Sequence, residues 1–500
     1  MILILLFLVI VFICLNSLYY FINDNKRCKI PGPVPLPLIG NGHLFIGSSS
    51  RKCFFFIMTT VPRLVNQFGD IIRIYIISQR CIFVTNPKYV EVIMSNNEYN
   101  AKADEYNYLH PWLGQGLLTA SGNRWRTHRK LLTPSFHFNI LKTFLPVFLK
   151  NDEIFVKKLE VLAHGRPIDI FPLMALLALD NVTETAMGVS INAQGNSESK
   201  YVRAVNEMSE LLFARMRKVH LRYDVVFNLL PHKRRQDAAL KTLHDQTNSV
   251  IRNRRRVLEE TNVTLENYDH DIGIKKKSAF LDLLLLSTVE GRKLDNDSIR
   301  EEVDTFMFEG HDTTTSGLSF ACYCISQHQT VQEKLFEEQK HIFGNDLNRH
   351  PTSSDLNEMK YLDAVIRESL RLYPSVPIIG RMLYEDRKIG EHFIPKNTSI
   401  LIGIMHMQRN ANLFPEPLRF RPERFDENMT DQKSAYNWIA FSAGSRNCIG
   451  QKFAMMELKV VLSSVIRRFQ LLPSDIEPVL CGDLILRSEN GVYVGFIPRK

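Results

Sequence analysis

Tryptophan and paired cysteines are scarce in this 500-residue chain, and the scarcity of cysteine pairs excludes two classes of protein. Only 3 residues are Trp and 8 are Cys, and no two cysteines form a CxxC pair. A disulfide scaffold does not fit so long a chain with scattered cysteines, and a zinc site lacks its usual ligand spacing. The cysteine usage favours a reducing compartment.

Two further absences narrow the functions. No Arg-rich block with interleaved aromatic residues occurs, which argues against nucleic-acid binding. No Rossmann fingerprint and no evident nicotinamide or flavin module occurs, so a redox enzyme of this sequence would take its electrons from a partner. What is present is apolar: 45% of the residues are hydrophobic and 31 are Phe. The net charge of +9 favours acidic partners or anionic lipid surfaces.

Residues 1–22 contain no charged side chain. Such a run is long enough to cross a bilayer, which takes ~20 apolar residues. A cleaved signal peptide is the alternative, but no basic residue precedes the run and no small-x-small cleavage site follows it. Lys26, Arg27 and Lys29 come next, against the single acid Asp24, so the positive-inside rule keeps the rest of the chain in the cytosol.

These features predict three segments. They are a transmembrane anchor over residues 1–22, a basic and proline-rich linker over 23–41, and one large domain over 42–500. Within the domain, residues 71–85 are predicted to form a β-hairpin. The apolar periodicity from about 120 to 345 predicts mostly helices. Short β-like runs return from 377 to 405, a terminal hairpin is expected at the C-terminus, and the polar stretch 261–280 reads as an exposed loop. The chain is therefore predicted to be mainly α with small β-sheets.

The stretch FSAGSRNCIG, residues 441–450, holds one cysteine between an arginine and two glycines. An amphipathic helix follows, so Cys448 lies at a helix N-terminus, where amide groups stabilise a thiolate. Arg446 adds positive charge. A thiolate without a general-base His is more typical of a metal ligand than of a hydrolytic nucleophile. A buried structural cysteine is the alternative, but it does not explain Gly444 and Gly450, which allow a flat group to approach closely.

A long helix is predicted over residues 298–324, beginning with the capping box formed by Ser298 and Glu301. Glu309 and Thr313 are four residues apart and share one face of this helix. A solvated polar face is the alternative, and the apolar residues just before Glu309 fit it poorly. Elsewhere, WRTHR and ESLR each place two functional side chains on one helix face, although each pair alone would be ordinary.

The loop resembles the haem-binding loop of the cytochrome P450 family, Phe-x-x-Gly-x-Arg-x-Cys-x-Gly. The matching positions are Phe441, Gly444, Arg446, Cys448 and Gly450. The resemblance implies the haem-thiolate cytochrome P450 fold, with residues 42–500 as the catalytic domain. It also implies haem b as cofactor, with the Cys448 thiolate as the iron ligand.

Further motifs follow in the family's order, and the resemblance gives them roles. Trp125, Arg129 and Arg381 correspond to haem-propionate ligands. Asp312 and Thr313 correspond to the acid–alcohol pair that relays protons to bound dioxygen. A buried ion-pair network beside the haem loop would be formed by Glu368, Arg371 and Arg424.

The stretch EVDTFMFEGHDTT, residues 302–314, resembles the thirteen-residue signature of the fourth family within the cytochromes P450. PWLGQGLL, TPSFHF and ETAMG also resemble that family. Glu309 stands where small residues are usual in other cytochromes P450, and in several fourth-family members the matching Glu is esterified to a haem methyl. Glu309 is therefore a candidate for a covalent haem ester. Many members are fatty-acid ω-hydroxylases, and arthropod members also act on hydrocarbons, hormones or xenobiotics.

The resemblance predicts a monomeric, microsomal monooxygenase in the endoplasmic reticulum membrane, acting on an apolar small molecule. NADPH–cytochrome P450 reductase is the implied electron donor, with cytochrome b5 as an optional second one. Two alternatives stay open, a reductase-independent haem-thiolate isomerase and a non-catalytic haem sensor or carrier. The intact pair Asp312–Thr313 argues against the isomerase, and retention of every catalytic position argues against the sensor.

Two surfaces are predicted from position along the chain. The substrate pocket is expected to be lined by segments 100–120, 201–230 and 376–383. A basic face that docks the reductase is expected from residues near the haem motifs, namely Arg124, Arg126, Arg129, Lys130 and Lys452.

Overall fold

A computed structural model describes residues 2–45, 50–196, 199–261, 280–289, 291–426, 434–482 and 484–499. The described chain is mainly helical with small β-sheets, which confirms the predicted fold class. The loop predicted over residues 261–280 lies almost entirely outside the described residues.

The α-helices of the described chain carry the core. They are α1 (Ile2–Arg27), α2 (Ser50–Phe68), α3 (Pro87–Ser95), α4 (His110–Leu113), α5 (Gly122–Leu132), α6 (Phe138–Leu141), α7 (Leu145–Leu162), α8 (Phe171–Thr185), α9 (Lys200–Arg217), α10 (Asp224–Leu229), α11 (Pro231–Glu260), α12 (Phe280–Leu286), α13 (Asn296–Gln327), α14 (Gln329–Phe343), α15 (Ser353–Glu358), α16 (Lys360–Leu372), α17 (Ile404–Gln408) and α18 (Gln451–Arg468).

The strands form short sheets of two to four strands. They are β1 (Ile71–Ile76), β2 (Gln79–Val84), β3 (Ile168–Asp169), β4 (Thr288–Val289), β5 (Arg292–Lys293), β6 (Ile378–Leu383), β7 (Arg387–Ile389), β8 (His392–Ile394), β9 (Thr398–Gly403), β10 (Phe469–Leu472), β11 (Leu480–Gly482), β12 (Leu486–Ser488) and β13 (Tyr493–Pro498).

The largest sheet has the strand order β1-β2-β9-β6. Strands β1 and β2 form the predicted hairpin, with Ile71 opposite Val84 and Ile76 opposite Gln79. The short β-like runs predicted over 377–405 include β6 and β9. Strand β9 runs parallel to β2 and antiparallel to β6, which joins this segment to the hairpin in one sheet. Lys102 forms an isolated antiparallel bridge with Arg381 of β6. This bridge places the segment after α3 at the edge of the sheet, next to the site.

Helix α13 is 32 residues long and packs against α8, α11, α16 and α18, so it crosses the middle of the molecule. The predicted helix is present, but its predicted start is wrong. Asp295 is the N-cap residue, and its side chain accepts a hydrogen bond from the backbone N–H of Ser298. An aspartate cap three residues earlier takes the place of the Ser298–Glu301 box, and Glu301 instead pairs with Arg124 at 2.7 Å.

The terminal hairpin is present in part: β11 and β12 form one, but the last strand of the described chain, β13, does not belong to it. The antiparallel partners of β13 are β10, which directly follows α18, and the short strand β3. The alternating residues Val494 and Phe496 of β13 are fully buried and belong to the main hydrophobic core, which also contains side chains of α7 and α18.

Helix α1 extends beyond the predicted anchor to Arg27 and meets the main sheet near its end. Asp24 is 6% exposed and accepts hydrogen bonds from Arg80 Nε at 2.7 Å and from the Tyr75 hydroxyl at 2.6 Å. Within the described part of the chain, no helix combines the length and the apolar character needed to cross a membrane. The anchor over residues 1–22 therefore stays a prediction.

Candidate functional site

A central cavity lies between α13, the first turn of α18 and the loop that precedes α18. Nine of the predicted site residues line it, contributed by α5, α13, β6 and the loop. These are Trp125, Arg129, Glu309, Thr313, Arg381, Phe441, Arg446, Cys448 and Gly450. Residues up to 325 positions apart in sequence are thus gathered at one site, because the long helix and the sheet edge face the same loop.

The cysteine loop has a backbone that its glycines make possible. The Cys448 N–H donates to the carbonyl of Phe441 at 2.9 Å, which closes the loop. Gly444 has φ +69°, and a Cβ there would lie 1.8 Å from the carbonyl oxygen of Met94 in α3. Any other residue would clash with this backbone and be strained, so Gly444 is required by a close approach to α3 rather than by contact with the cavity.

Arginines join α5 to the cysteine loop from both sides: Arg446 of the loop contacts α5, and Arg129 of α5 contacts the loop. The Arg446 guanidinium lies 4.2 Å from the centre of the Trp125 ring and donates to the carbonyl of Asn100 at 3.1 Å. Arg129 donates to the carbonyl and side-chain oxygens of Asn447 at 2.8 and 2.7 Å. These contacts fix α5 against the residue that precedes Cys448.

Four cations meet at the cavity with one acid to oppose them. Lys102 lines the cavity with Arg129, Arg381 and Arg446, and Glu309 is the carboxylate on the wall. Burial, and then the charge of Arg381, lower the pKa of Arg446 to about 9 and hold the pKa of Lys102 well below its ordinary value. Buried cations in excess need anions. A group with two carboxylates, such as the propionates of haem, fits this excess.

Sequence reasoning missed Lys102. Nothing in its neighbourhood along the chain distinguishes it from a surface lysine. It reaches the cavity because its backbone bridges to Arg381 at the sheet edge, a long-range pairing that carries no local signal.

The Cys448 side chain forms part of the cavity wall, and its accessible surface faces the cavity. Burial, followed by the nearby carboxylate of Glu309, raises the pKa of Cys448 to about 12, while the N–H of Gly450 and the charge of Arg129 act in the opposite direction. The apo thiol is therefore neutral, and a bound iron ion would convert it to the thiolate. Among the described residues no cluster of three His, Cys, Asp or Glu could hold a metal. The single sulfur donor fits an iron whose other ligands come from a haem ring.

The two halves of the predicted acid–alcohol pair face different surroundings. The Thr313 hydroxyl lies on the cavity wall and donates to the carbonyl of Glu309 at 2.6 Å. Asp312 is 1% exposed, and both its carboxylate oxygens accept from Arg487 Nη2 at 2.6 Å. Asp312 does not line the cavity. Arg487 lies on β12, 175 positions away, and sequence reasoning missed it.

Burial raises the pKa of Glu309 to about 7, and the charge of Lys102 opposes that rise. Burial therefore favours the neutral form of the Glu309 carboxyl, and the nearby charge of Lys102 favours the charged form.

The predicted ion-pair network lies behind the loop. Arg371 donates to both oxygens of Glu368 at 2.7 and 2.8 Å, with both side chains fully buried, and Arg424 Nε lies 3.3 Å from Glu368. Arg371 also donates to the carbonyl of Gln408 at 2.8 Å. The Gln408 side chain in turn accepts from the N–H of Ile439 at 3.0 Å, so the network supports the chain that enters the cysteine loop.

A second, mostly apolar cavity of about 310 Å³ adjoins the first. All three segments expected at the substrate pocket contribute to its wall, for example Tyr106, Phe213 and Ile379. Glu309 and Thr313 line both cavities, so the two spaces meet at the middle of α13.

The family Cytochrome P450 matches residues 30–496 of the chain. Cytochrome P450 4d2 of Drosophila melanogaster is 43% identical over 475 residues, which cover 94% of each protein. Cytochrome P450 4e2 of the same organism is 40% identical and covers 93% of each, and cytochrome P450 4c3 is 39% identical over 98% of this chain and 94% of its own length. The chain belongs to the cytochrome P450 family, among relatives of its fourth family, and is a monooxygenase of the oxidoreductase class.

Proposed function

We propose that the chain is a membrane-bound haem-thiolate monooxygenase of the endoplasmic reticulum that inserts one oxygen atom of O2 into a C–H bond of an apolar substrate. Fatty acids, hydrocarbons, hormones and xenobiotics are the candidate substrates. The electrons come from NADPH through NADPH–cytochrome P450 reductase, with cytochrome b5 as an optional donor. The observation that carries this proposal is the thiol of Cys448 on the wall of a cavity that holds four cations and joins an apolar cavity.

Each group at the central cavity has a task in this proposal. Cys448 would hold the iron, and the surplus of cations among Lys102, Arg129, Arg381 and Arg446 would bind the two propionates. When bound, the haem supplies the activation of O2 and the electron-rich iron–sulfur bond that favours O–O cleavage. The network around Glu368 keeps the loop rigid, which holds the sulfur in place.

Proton delivery falls to α13. The Thr313 hydroxyl holds a proton on the cavity wall, where its present acceptor is the carbonyl of Glu309 at 2.6 Å. Asp312 lies behind that helix face in an ion pair with Arg487, so it would relay a proton from solvent to Thr313 once it is released from Arg487 and protonated. Its partner Arg487 also donates to Asn206 in α9, so release of Asp312 is coupled to the packing of α9 over the site.

Water is excluded from the reacting region by the apolar wall of the second cavity. Aromatic and aliphatic side chains such as Phe83, Phe213 and Phe308 form this wall. A substrate that fills the cavity with alkyl or ring surface gains from burial at roughly 25 cal/mol per Å². This surface accounts for the apolar substrate class without selecting one member of it.

The experiment that tests the proposal is a ferrous–CO difference spectrum of the purified haem-loaded protein. We expect the absorption typical of thiolate ligation in the wild type and its loss in Cys448→Ser. Cys322→Ala, which changes a buried cysteine of α13 outside both cavities, should keep it. A thiolate spectrum in Cys448→Ser would refute the ligand assignment. The wild type with reductase, NADPH and a panel of long-chain acids, alcohols and hydrocarbons should then give a hydroxylated product by mass spectrometry.

A further inference from the structure

The apolar second cavity contains one ion pair, Glu105 with Arg222. A single hydrogen bond of 2.9 Å joins them, from Arg222 Nη2 to Glu105 Oε1. The Arg222 side chain is 10% exposed and the Glu105 side chain is 15% exposed. They come from the turn after α9 and the turn before α4, which are 117 positions apart.

Each partner of this pair keeps one polar atom unpaired. Arg222 Nε and Glu105 Oε2 are buried, and neither has a hydrogen-bond partner in the described part of the chain. The buried pair of Arg371 with Glu368 is closed instead, because Nε and Nη2 each donate to one carboxylate oxygen. Buried polar atoms are nearly always hydrogen-bonded, so an open pair on a cavity wall points to a polar guest.

The chemistry of the two open atoms selects the guest. Arg222 Nε–H requires an acceptor, and Glu105 Oε2 requires a donor. A hydroxyl group supplies both, whereas an ether supplies an acceptor alone. A carboxylate is also an acceptor alone, and it would lie against the negative charge of Glu105.

We propose that the Glu105–Arg222 pair binds the hydroxyl group of the substrate, which is an apolar alcohol rather than a carboxylate. This assignment rests on the proposed monooxygenase function and adds the chemical class of its substrate. Glu309 and Thr313 line both cavities, so the apolar body of an alcohol held at the pair extends towards the cavity that contains Cys448. The carbon to be oxidised then lies away from the hydroxyl.

The test compares three probes that share one alkyl chain: 1-decanol, 1-methoxydecane and decanoate. Each is measured by equilibrium dialysis against the haem-loaded protein at neutral pH. We expect 1-decanol to bind about tenfold more tightly than the ether, the effect of one hydrogen bond to a charged group. Decanoate should bind more weakly than 1-decanol by at least as much. Equal binding of the three probes would overturn the proposal and indicate that water satisfies the pair.

The variant Glu105→Gln tests the role of the negative charge. Glutamine keeps the size of the side chain but no longer repels an anion, so the preference for 1-decanol over decanoate should shrink by about tenfold or more. The matched control is Glu207→Gln, which changes the acid of an exposed pair with Arg235 on the outer surface and should leave the preference unchanged. An unchanged preference in Glu105→Gln would contradict the proposal, and the probe comparison in the wild type decides it even where that variant fails to fold.

These binding measurements are separate from turnover. A protein that prefers 1-decanol but gives no thiolate spectrum would refute the proposed function and leave the hydroxyl-binding role of the Glu105–Arg222 pair intact. A protein with the spectrum and with tighter binding of decanoate would refute that role alone.

Discussion

At the scale of single residues, Glu309 is the acid on a wall of cations, and its burial raises its pKa to about 7. We predict that it becomes esterified to a haem methyl during turnover. The new C–O bond replaces one methyl C–H bond, a two-electron oxidation for which the enzyme's own reaction with O2 supplies the oxidant. The ester removes a buried charge, which is otherwise costly.

Acid extraction followed by mass spectrometry measures this outcome. Haem should stay attached to turned-over wild type and be released from Glu309→Ala. Glu301→Gln is the control, because Glu301 lies two turns earlier on α13, pairs with Arg124 and does not line either cavity. Complete extraction of haem from the turned-over wild type would show that Glu309 stays a free carboxyl.

Thr313 and Thr315 provide a matched pair of residues on α13. Each hydroxyl donates to the carbonyl four residues earlier, at 2.6 Å for Thr313 and 2.8 Å for Thr315. Of the two residues, Thr313 alone lines the cavities. In Thr313→Ala, the product formed per NADPH should fall by about tenfold or more, since positioned proton transfer contributes ~10²–10⁴-fold. Peroxide should rise in compensation. Thr315→Ala should keep normal coupling, and normal coupling in Thr313→Ala would exclude Thr313 from the relay.

The residues of the site divide by how local their signal is. Phe441, Arg446 and Cys448 fall within one ten-residue loop, so fixed spacing in sequence was enough to predict that they lie together. Lys102 and Arg487 could not be predicted, because each reaches the site through a pairing with a residue more than 170 positions away. Both residues contribute a buried charge, and the sequence around a single charged residue does not show whether that residue is buried.

At the scale of elements, the buried pair of Glu368 with Arg371 lies within helix α16 and ties it to the chain outside it, because Arg371 donates to the carbonyl of Gln408 and Arg424 pairs with Glu368. Arg371→Met leaves the Glu368 carboxylate in an apolar interior with Arg424 as its remaining cation. Breaking a buried pair in this way costs about 3–5 kcal/mol of unfolding free energy. Urea unfolding measures this loss. Asp237→Asn, which breaks an exposed pair with Lys233, should cost less than about 1 kcal/mol, and equal losses in the two variants would contradict the buried role.

Elements with a complete local pattern were predicted well, and those completed by distant partners were not. The hairpin β1–β2 and the body of helix α13 lie where the sequence placed them. The start of α13 was misplaced because Asp295 and Ser298 both have capping side chains, and the choice between them depends on where Glu301 finds its partner. The partner of β13 is β10, and the intervening hairpin β11–β12 separates the two strands in sequence.

At the scale of the whole molecule, the charge of the predicted docking face is partly committed within the chain. Arg124 pairs with Glu301 at 2.7 Å, and Arg129 is bound to Asn447 beside the cysteine. Arg126, Lys130 and Lys452 are exposed around the same loop and form the remaining basic face. A reductase with an acidic surface would meet this face beside the cysteine loop.

We predict that steering by this face makes reduction of the enzyme dependent on salt. Between about 0.01 M and about 1 M salt, the Debye length shrinks from ~30 to ~3 Å, so attraction between exposed charges is lost. The rate of reduction by the reductase should fall by about tenfold or more over this range. Replacing Arg126, Lys130 and Lys452 with Gln should lower the rate at low salt and flatten its dependence. The control replaces Lys241, Arg252 and Arg256 of α11, a helix that packs against α9 and α13 rather than the cysteine loop, and removes the same net charge. Equal losses in the two triple variants would mean that net charge, and not this face, governs the encounter.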